Sequence, residues 1–343
     1  MPRVVGIDPG TVTIDVCGLA DGALFLDRSI PTAEALADPA GFTQVIRGSN
    51  PPDLIAGPSG YGLPLIPAAS ASEEALRLAF LAAPGESGGI GGLRLLVTVL
   101  AGSGLPVILT PGVIHLDTVP AHRKVNRVDL GTADKVAAAV LGVADQSRRL
   151  ACPPHETSFL LLELGGAFTA ALAVLGGRIV DGIGGTSGPI GWRSAGALDG
   201  EVAYLAGNVT KALLFRGGVV DGREAGIDAF VEGAIKAMWS LLVSVPAPRE
   251  ILLSGRAAGE PGIEDRLRAG LTSIAPVRRL EGIARIAKPA AEGAAIMADG
   301  LTGGRWRSVV DTMGLRAAHG TVLDHLVVIS PAAARRRLGL TPA

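Results

Sequence analysis

The strongest constraint on this chain is a hairpin-like stretch that occurs twice. Val4-Val5-Gly6-Ile7-Asp8 is an apolar run of strand length ending in one carboxylate, Pro9-Gly10-Thr11 is a tight turn, and the chain then returns as a second strand to Val16. About 155 residues later Phe159-Leu160-Leu161-Leu162-Glu163 ends in an acid, Gly165-Gly166 turns, and a strand returns to Val174. One such unit is an ordinary β-hairpin with a Pro-Gly turn. Its recurrence points to two related lobes. Glycine lets a backbone approach a phosphate closely, and turn amides point at its oxygens. A carboxylate beside them holds Mg²⁺ directly or through water. Two such hairpins facing each other would hold a nucleoside triphosphate and its metal.

The 343 residues allow two domains with ample core. Boundaries are expected at 1–152 and 153–300, because Cys152-Pro153-Pro154 reads as a break, with 301–343 an extension packing back on the body. Aromatic residues are only 3%, so the core must be Ala, Val, Leu and Ile. With a net charge of −1 and few rings for base stacking, nucleic acid is not expected as a partner. Cys17 and Cys152 have no Cys-x-x-Cys spacing, which argues against a disulfide framework or an iron–sulfur site. The apolar runs fall short of the roughly 18 residues a membrane helix needs. A strand is expected from residue 4, so no signal peptide is expected. A cytoplasmic protein is expected, with a homodimer as the default assembly.

The first lobe opens with three antiparallel strands, the third at 22–27. A helical stretch at 32–47 is broken by Pro39, a buried strand at 53–57 runs into the loop 58–62, and a helix capped by Ser72 leads to a glycine-rich loop at 84–92. After a strand at 105–109, residues 115–127 are densely polar, and His122, Arg123 and Lys124 are candidates to hold an anionic substrate. Thr132 reads as the N-cap of an alanine-rich helix to Arg149; Asp134 and Lys135 open it either toward a cleft or as a dipole-favoured acid beside a solvated lysine. The second lobe repeats the three-strand opening. It continues with an irregular glycine-rich loop at 182–199, a helix at 226–242, a strand at 250–256, and helices at 263–271 and 289–301. The last of these is built of small residues that permit close packing. A final strand is expected at 326–329, and Arg335-Arg336-Arg337 reads as a solvated tail.

This order resembles the actin-like ATPase superfamily, which includes acetate and sugar kinases, the 70-kDa chaperones and actin. Gly6-Ile7-Asp8-Pro9-Gly10-Thr11 is similar to its first phosphate motif, Glu163-Leu164-Gly165-Gly166 to the second, and Leu252-Leu253-Ser254-Gly255-Arg256 to the adenosine motif. Gly293-Ala294-Ala295 resembles the helix that follows. Gly188-Pro189-Ile190 with Arg193-Ser194-Ala195-Gly196 is similar to a segment of the acetate and butyrate kinase branch, and the whole chain resembles a largely archaeal family labelled predicted butyrate kinases.

The resemblance implies an α/β fold of two ribonuclease H-like (actin-like ATPase) domains around a nucleotide cleft, binding ATP and Mg²⁺. It implies Asp8 and Glu163 as metal-side catalytic carboxylates and Arg193 over the transferring phosphoryl group. Gly10, Thr11, Gly165, Gly166, Gly184, Gly185 and Thr186 would cradle phosphate, with Ser254, Gly255 and Arg256 flanking adenine and ribose. The implied activity is phosphoryl transfer to a small, anionic acceptor, a short-chain carboxylate first. A sugar or polyol acceptor, or a nucleotide-gated sensor or activator of the same fold, is the alternative. The chain departs from the branch in having Glu163 where carboxylate kinases have His, Asp8 where they commonly have Asn, and Ala195 inserted in the Arg-Ser-Gly pattern.

Overall fold

A computed structural model describes residues 2–57, 60–83, 91–222 and 225–341. Pro58, Ser59 and most of the glycine-rich loop expected at 84–92 lie outside the described residues. The chain forms two sheets of matching plan. In the first, β1 (Arg3–Pro9), β2 (Thr13–Ala20) and β3 (Ala23–Pro31) form an antiparallel meander. β4 (Leu54–Gly57) adds parallel to β1, β6 (Val107–Leu109) adds parallel to β4, and the short β5 (Ile66–Pro67) closes the edge, giving the order β3-β2-β1-β4-β6-β5.

The second sheet repeats the scheme. β7 (Ser158–Leu164), β8 (Thr169–Leu175) and β9 (Arg178–Ile183) form the meander, and β10 (Glu250–Ser254) and β11 (Val277–Arg279) add in parallel, in the order β11-β10-β7-β8-β9. Even the irregularities correspond: pairing shifts at Gly18/Leu19 in β2 and at Ala173/Val174 in β8. A bulge at the same place in each meander gives both sheets the same local bend.

Between the sheets lie two crossed helices, Ala133–Arg149 and Pro289–Leu301, in one core with Val4, Cys17 and Leu19 of the first sheet and Phe159, Leu161 and Leu172 of the second. Each helix is also fastened to the sheet of the other half. A Cβ on Gly6 of β1 would lie 2.1 Å from the Ala291 carbonyl oxygen, so only glycine lets Pro289–Leu301 rest on the first sheet. In the other direction, a Cβ on Gly142 would meet the Phe159 ring at 2.6 Å. The Gln146 amide also donates to Glu250 Oε1 at 2.7 Å and accepts from Ser158 N at 2.7 Å. Where the helices cross, a Cβ on Gly293 would sit 1.8 Å from the Ala137 carbonyl oxygen. The outer faces are covered by separate apolar clusters, the first around Phe42, Phe80 and Leu96, the second around Phe230, Met238 and Leu267.

Several local expectations change. Pro39 does divide the first helical stretch, into Thr32–Ala37 and Pro39–Arg47, with the Asp38 carboxylate capping the latter through Gly41 N at 2.9 Å. Ser72 caps its helix through Ala75 N at 3.1 Å. Thr132 does occupy the N-cap of its helix, but its hydroxyl donates to Asp134 Oδ1 at 2.5 Å and makes no side-chain cap bond. No strand forms at 326–329, because these residues meet no sheet; Asn126 Oδ1 instead accepts from Val327 N and Val328 N at 2.7 and 2.9 Å. The arginine run is solvated at Arg336 and Arg337 but not at Arg335. It ends the helix Pro331–Arg337, and Arg335 is held against Glu74 at 2.5 Å with its side chain 13% exposed. Val310, Met313, Leu315 and Leu323 belong to the central core. Among the described residues no helix is long and apolar enough to cross a membrane.

Candidate active site

The last residues of β1 and β7 and the turns after them line one cavity of about 190 Å³. Asp8, Gly10 and Thr11 come from the first hairpin, and Glu163, Gly165 and Gly166 from the second. The two acids so far apart in sequence therefore share a crevice, because each sheet ends its first strand at the same interface. Gly185, Thr186 and Arg256 join from the second half, Asp134 and Lys135 from the start of the first central helix, and Lys288 from the residue before the second. Val12, Tyr61, Phe168 and Phe215 give the cavity an apolar portion, with the two phenylalanine rings edge to face at 5.0 Å.

The charges form a network. Asp8 is buried, and desolvation pushes its carboxyl up to about 7 against the pull of Lys288, whose Nζ is 3.8 Å from Asp8 Oδ2. The same ammonium lies 2.6 Å from Asp15 Oδ2 and donates to Thr13 Oγ1 at 2.9 Å. Lys135 Nζ pairs with Asp134 Oδ2 at 2.5 Å. Its protonated form is stabilised, against burial, by Asp134, then Glu163, with Asp8 also contributing. Burial pushes the Glu163 carboxyl above its ordinary range, with Lys135 and the Ser254 hydroxyl opposing. Two lysines thus hold together carboxylates that would otherwise repel one another in a partly dry crevice.

The remaining expected residues are placed unevenly. Ser254 and Gly255 stand behind Glu163: Gly255 adopts φ +90°, and a Cβ on it would lie 2.7 Å from Glu163 Oε1 and 2.3 Å from the Leu164 carbonyl oxygen. Neither residue lines the cavity. Gly184 also stands off it, because the 184–186 turn wraps Asp129. That carboxylate accepts from Thr186 N at 3.1 Å and Thr186 Oγ1 at 3.2 Å, and a Cβ on Gly184 would lie 2.0 Å from Asp129 Oδ1. Arg193 is exposed and absent from the lining; its backbone is fixed by Arg193 N donating to the Ala167 carbonyl and its own carbonyl accepting from Gly218 N. His122, Arg123 and Lys124 also lie off the cavity. Arg123 Nη1 donates to the Val180 carbonyl at 2.6 Å, and Lys124 Nζ donates to the Leu116 carbonyl at 2.8 Å.

Sequence reasoning passed over Lys288, Asp129, Asp15, Phe168 and Phe215. Lys288 left one signal, a lysine directly before the proline of a small-residue helix. Lys135 is not a solvated lysine; its side chain is 15% exposed and faces the cavity.

A family described as "Protein of unknown function (DUF1464)" matches residues 6–328. The chain belongs to that family. The fold of this DUF1464 protein is found in solved structures of low sequence identity. An acetate kinase from Entamoeba histolytica shares 10% identity over 79% of this chain and 87% of its own, with a TM-score of 0.53. A propionate kinase from Francisella tularensis subsp. tularensis shares 11% identity over 85% and 99%, with a TM-score of 0.57. Porphyromonas gingivalis acetate kinase shares 13% over 80% and 88%, at 0.54. The DUF1464 chain therefore has the two-domain actin-like ATPase fold. No curated protein sequence matches it.

Proposed function

We propose that this DUF1464 protein is an ATP-dependent small-molecule kinase, with a short-chain carboxylate as its first acceptor class. The observation that carries this reading is the single cavity shared by the Asp8 and Glu163 hairpins, with glycine turns and three cations, Lys135, Lys288 and Arg256, around them. Phosphoryl transfer is catalysed mainly by position and by charge placed around the phosphate oxygens. A Cβ at Gly166 would meet nothing within 4 Å, so this turn leaves its backbone open to an approaching phosphate.

The donor set fits Mg²⁺. Among the described residues no three His, Cys, Asp or Glu side chains form a ready-made metal cage. Mg²⁺ prefers one or two carboxylates together with waters and substrate phosphates, which Asp8 and Glu163 would supply. When bound, the ion would draw charge from the phosphate oxygens. The Gly10–Thr11 and Gly165–Gly166 turns would orient the triphosphate, and Lys135 and Arg256 would balance its charge. Arg256 suits this last role better than Arg193, since it lines the cavity and Arg193 does not. Attack by an acceptor oxygen on the γ-phosphorus then breaks the bond to the ADP oxygen. The apolar wall of Val12, Tyr61, Phe168 and Phe215 suits a short aliphatic acid.

Asp134 favours a second reading. A carboxylate acceptor arrives ionised and needs no base, whereas a hydroxyl acceptor does. Asp134 lines the cavity and lies beside Lys135, so a sugar or polyol is the next class. ADP formation should be measured against a panel of short acids and alcohols, with hydroxylamine trapping of acyl phosphate. The expected result is turnover with at least one acid, reduced by 100-fold or more in Asp8→Asn and Glu163→Gln, on the order expected for lost charge stabilisation. Nucleotide binding without turnover on any acceptor would overturn the kinase reading and leave a nucleotide-gated sensor.

A further inference from the structure

Tyr61 lines the cleft, yet its hydroxyl has no hydrogen-bond partner among the described residues, although the side chain is only 4% exposed. A buried O–H left unpaired costs stability, and phenylalanine would give the same apolar wall without it. The oxygen is not sealed in. Among the described residues the fully enclosed, unpaired side-chain polar atoms belong to His115, Ser158 and Thr169, so the surface that Tyr61 keeps faces the cavity it lines. Burial first, and the Asp129 charge after it, push the phenol's ionisation up, so the group stays an O–H donor.

The backbone fixes this ring in place. Tyr61 N donates to the Ala79 carbonyl at 2.8 Å, and the Gly60 carbonyl accepts from Ala133 N at 3.2 Å, beside the helix start that carries Asp134 and Lys135. Gly62 adopts φ +107°, and a Cβ on it would lie 1.9 Å from Gly112 N. Tyr61 follows β4, which adds parallel to β1, as Arg256 follows β10, which adds parallel to β7. Equivalent loops of the two halves thus bring an arginine, suited to phosphate, and a fixed phenol to one cavity. Lys211, in the same second-half segment as Phe215, stands over the Tyr61 ring at 5.4 Å, so Tyr61 sits where the halves meet.

We propose that Tyr61 is an acceptor-binding, specificity-determining residue whose O–H donates to a carboxylate or hydroxyl oxygen of the phosphoryl acceptor. Naming that ligand as the acceptor rests on the kinase reading; the unpaired hydroxyl does not.

NMR of the full chain labelled at the hydroxyl-bearing tyrosine carbon tests it without turnover. The sequence has two tyrosines, and Tyr204, 79% exposed and off the cavity, is the internal control, assigned through Tyr204→Phe. Acetate, butyrate and glycerol are titrated separately at fixed Mg·ADP. Saturable movement of the Tyr61 signal with at least one probe, and an unmoved Tyr204, is expected. Silence with every probe overturns the proposal. Movement with the acids alone or with glycerol alone identifies the oxygen that the hydroxyl meets. In turnover assays Tyr61→Phe should raise the KM for the acceptor roughly tenfold, as for one lost hydrogen bond, and leave the KM for Mg·ATP unchanged. An unchanged acceptor KM overturns the proposal and leaves the kinase reading standing. Absence of turnover on any acceptor overturns the kinase reading, while the tyrosine signal still decides whether Tyr61 binds a ligand oxygen.

Discussion

Lys288 joins Asp8, Asp15 and Thr13 through one ammonium. Burial raises the Asp8 carboxyl to about 7 and Lys288 holds it from going higher, so metal–nucleotide binding that needs the carboxylate should strengthen as pH rises through 7. Lys288→Met removes that restraint. Its Mg·ATP affinity profile, measured by titration calorimetry between pH 6 and 9, is expected to move alkaline by about one unit. An unmoved profile would show that Lys288 does not set the Asp8 proton. Lys288→Met also leaves Asp15, 1% exposed, without its cation. A stability loss of about 3 kcal/mol follows, and adding Asp15→Asn should recover part of it.

His115 is a second residue with a pH signature. It is 1% exposed, neither ring nitrogen has a hydrogen-bond partner among the described residues, and burial lowers its pKa to about 4. The unfolded chain takes up this proton near pH 6.5 and the folded chain only near 4. Stability is therefore lost as pH falls through that window, by about 3 kcal/mol in all. Urea titrations of wild type and His115→Leu at pH 7.5 and 4.5 should show the variant gaining relative stability at the lower pH; parallel losses would contradict the assignment. None of this was legible in the sequence. Lys288 and Thr13 are 275 positions apart, and no local pattern announces such a pairing.

At the level of elements much more was readable. Strand ends marked by an acid and a glycine turn are local patterns, and both formed as hairpins closing on one cavity. The small-residue character of 289–301 also had a local meaning, since only residues without bulk allow two helices and a strand to touch along their backbones. Gly293→Ala tests that contact. Its methyl would meet the Ala137 carbonyl oxygen at 1.8 Å, a backbone atom that cannot swing aside. A loss of about 3 kcal/mol, read by chemical denaturation, is expected from overpacking. The run Leu326-Val327-Val328-Ile329 misled for the opposite reason: its β-branched composition is strand-like, but Val327 and Val328 are 73% and 87% exposed with no sheet edge to pair with. Arg193 was similarly persuasive as a motif, yet the loop that carries it is fixed by backbone bonds off the cavity.

Across the whole molecule the two central helices decide how the halves depend on each other. Ala133–Arg149 is bound to the second sheet through a buried cluster in which Arg149 Nη2 reaches Glu250 Oε1 at 2.5 Å and Arg278 bridges Asp145 and Glu250. Pro289–Leu301 is bound to the first. The segment leading into it is secured as well, by Asp27 of β3 accepting from the amides of Arg285, Ile286 and Ala287. Each lobe thus lends the other a covering it does not keep for itself. Severing the polypeptide near residue 153 should therefore yield two fragments that are insoluble when produced singly and recover a common native form when produced together, in the manner of a split reporter. A fragment that folded by itself would mean that the loan is dispensable.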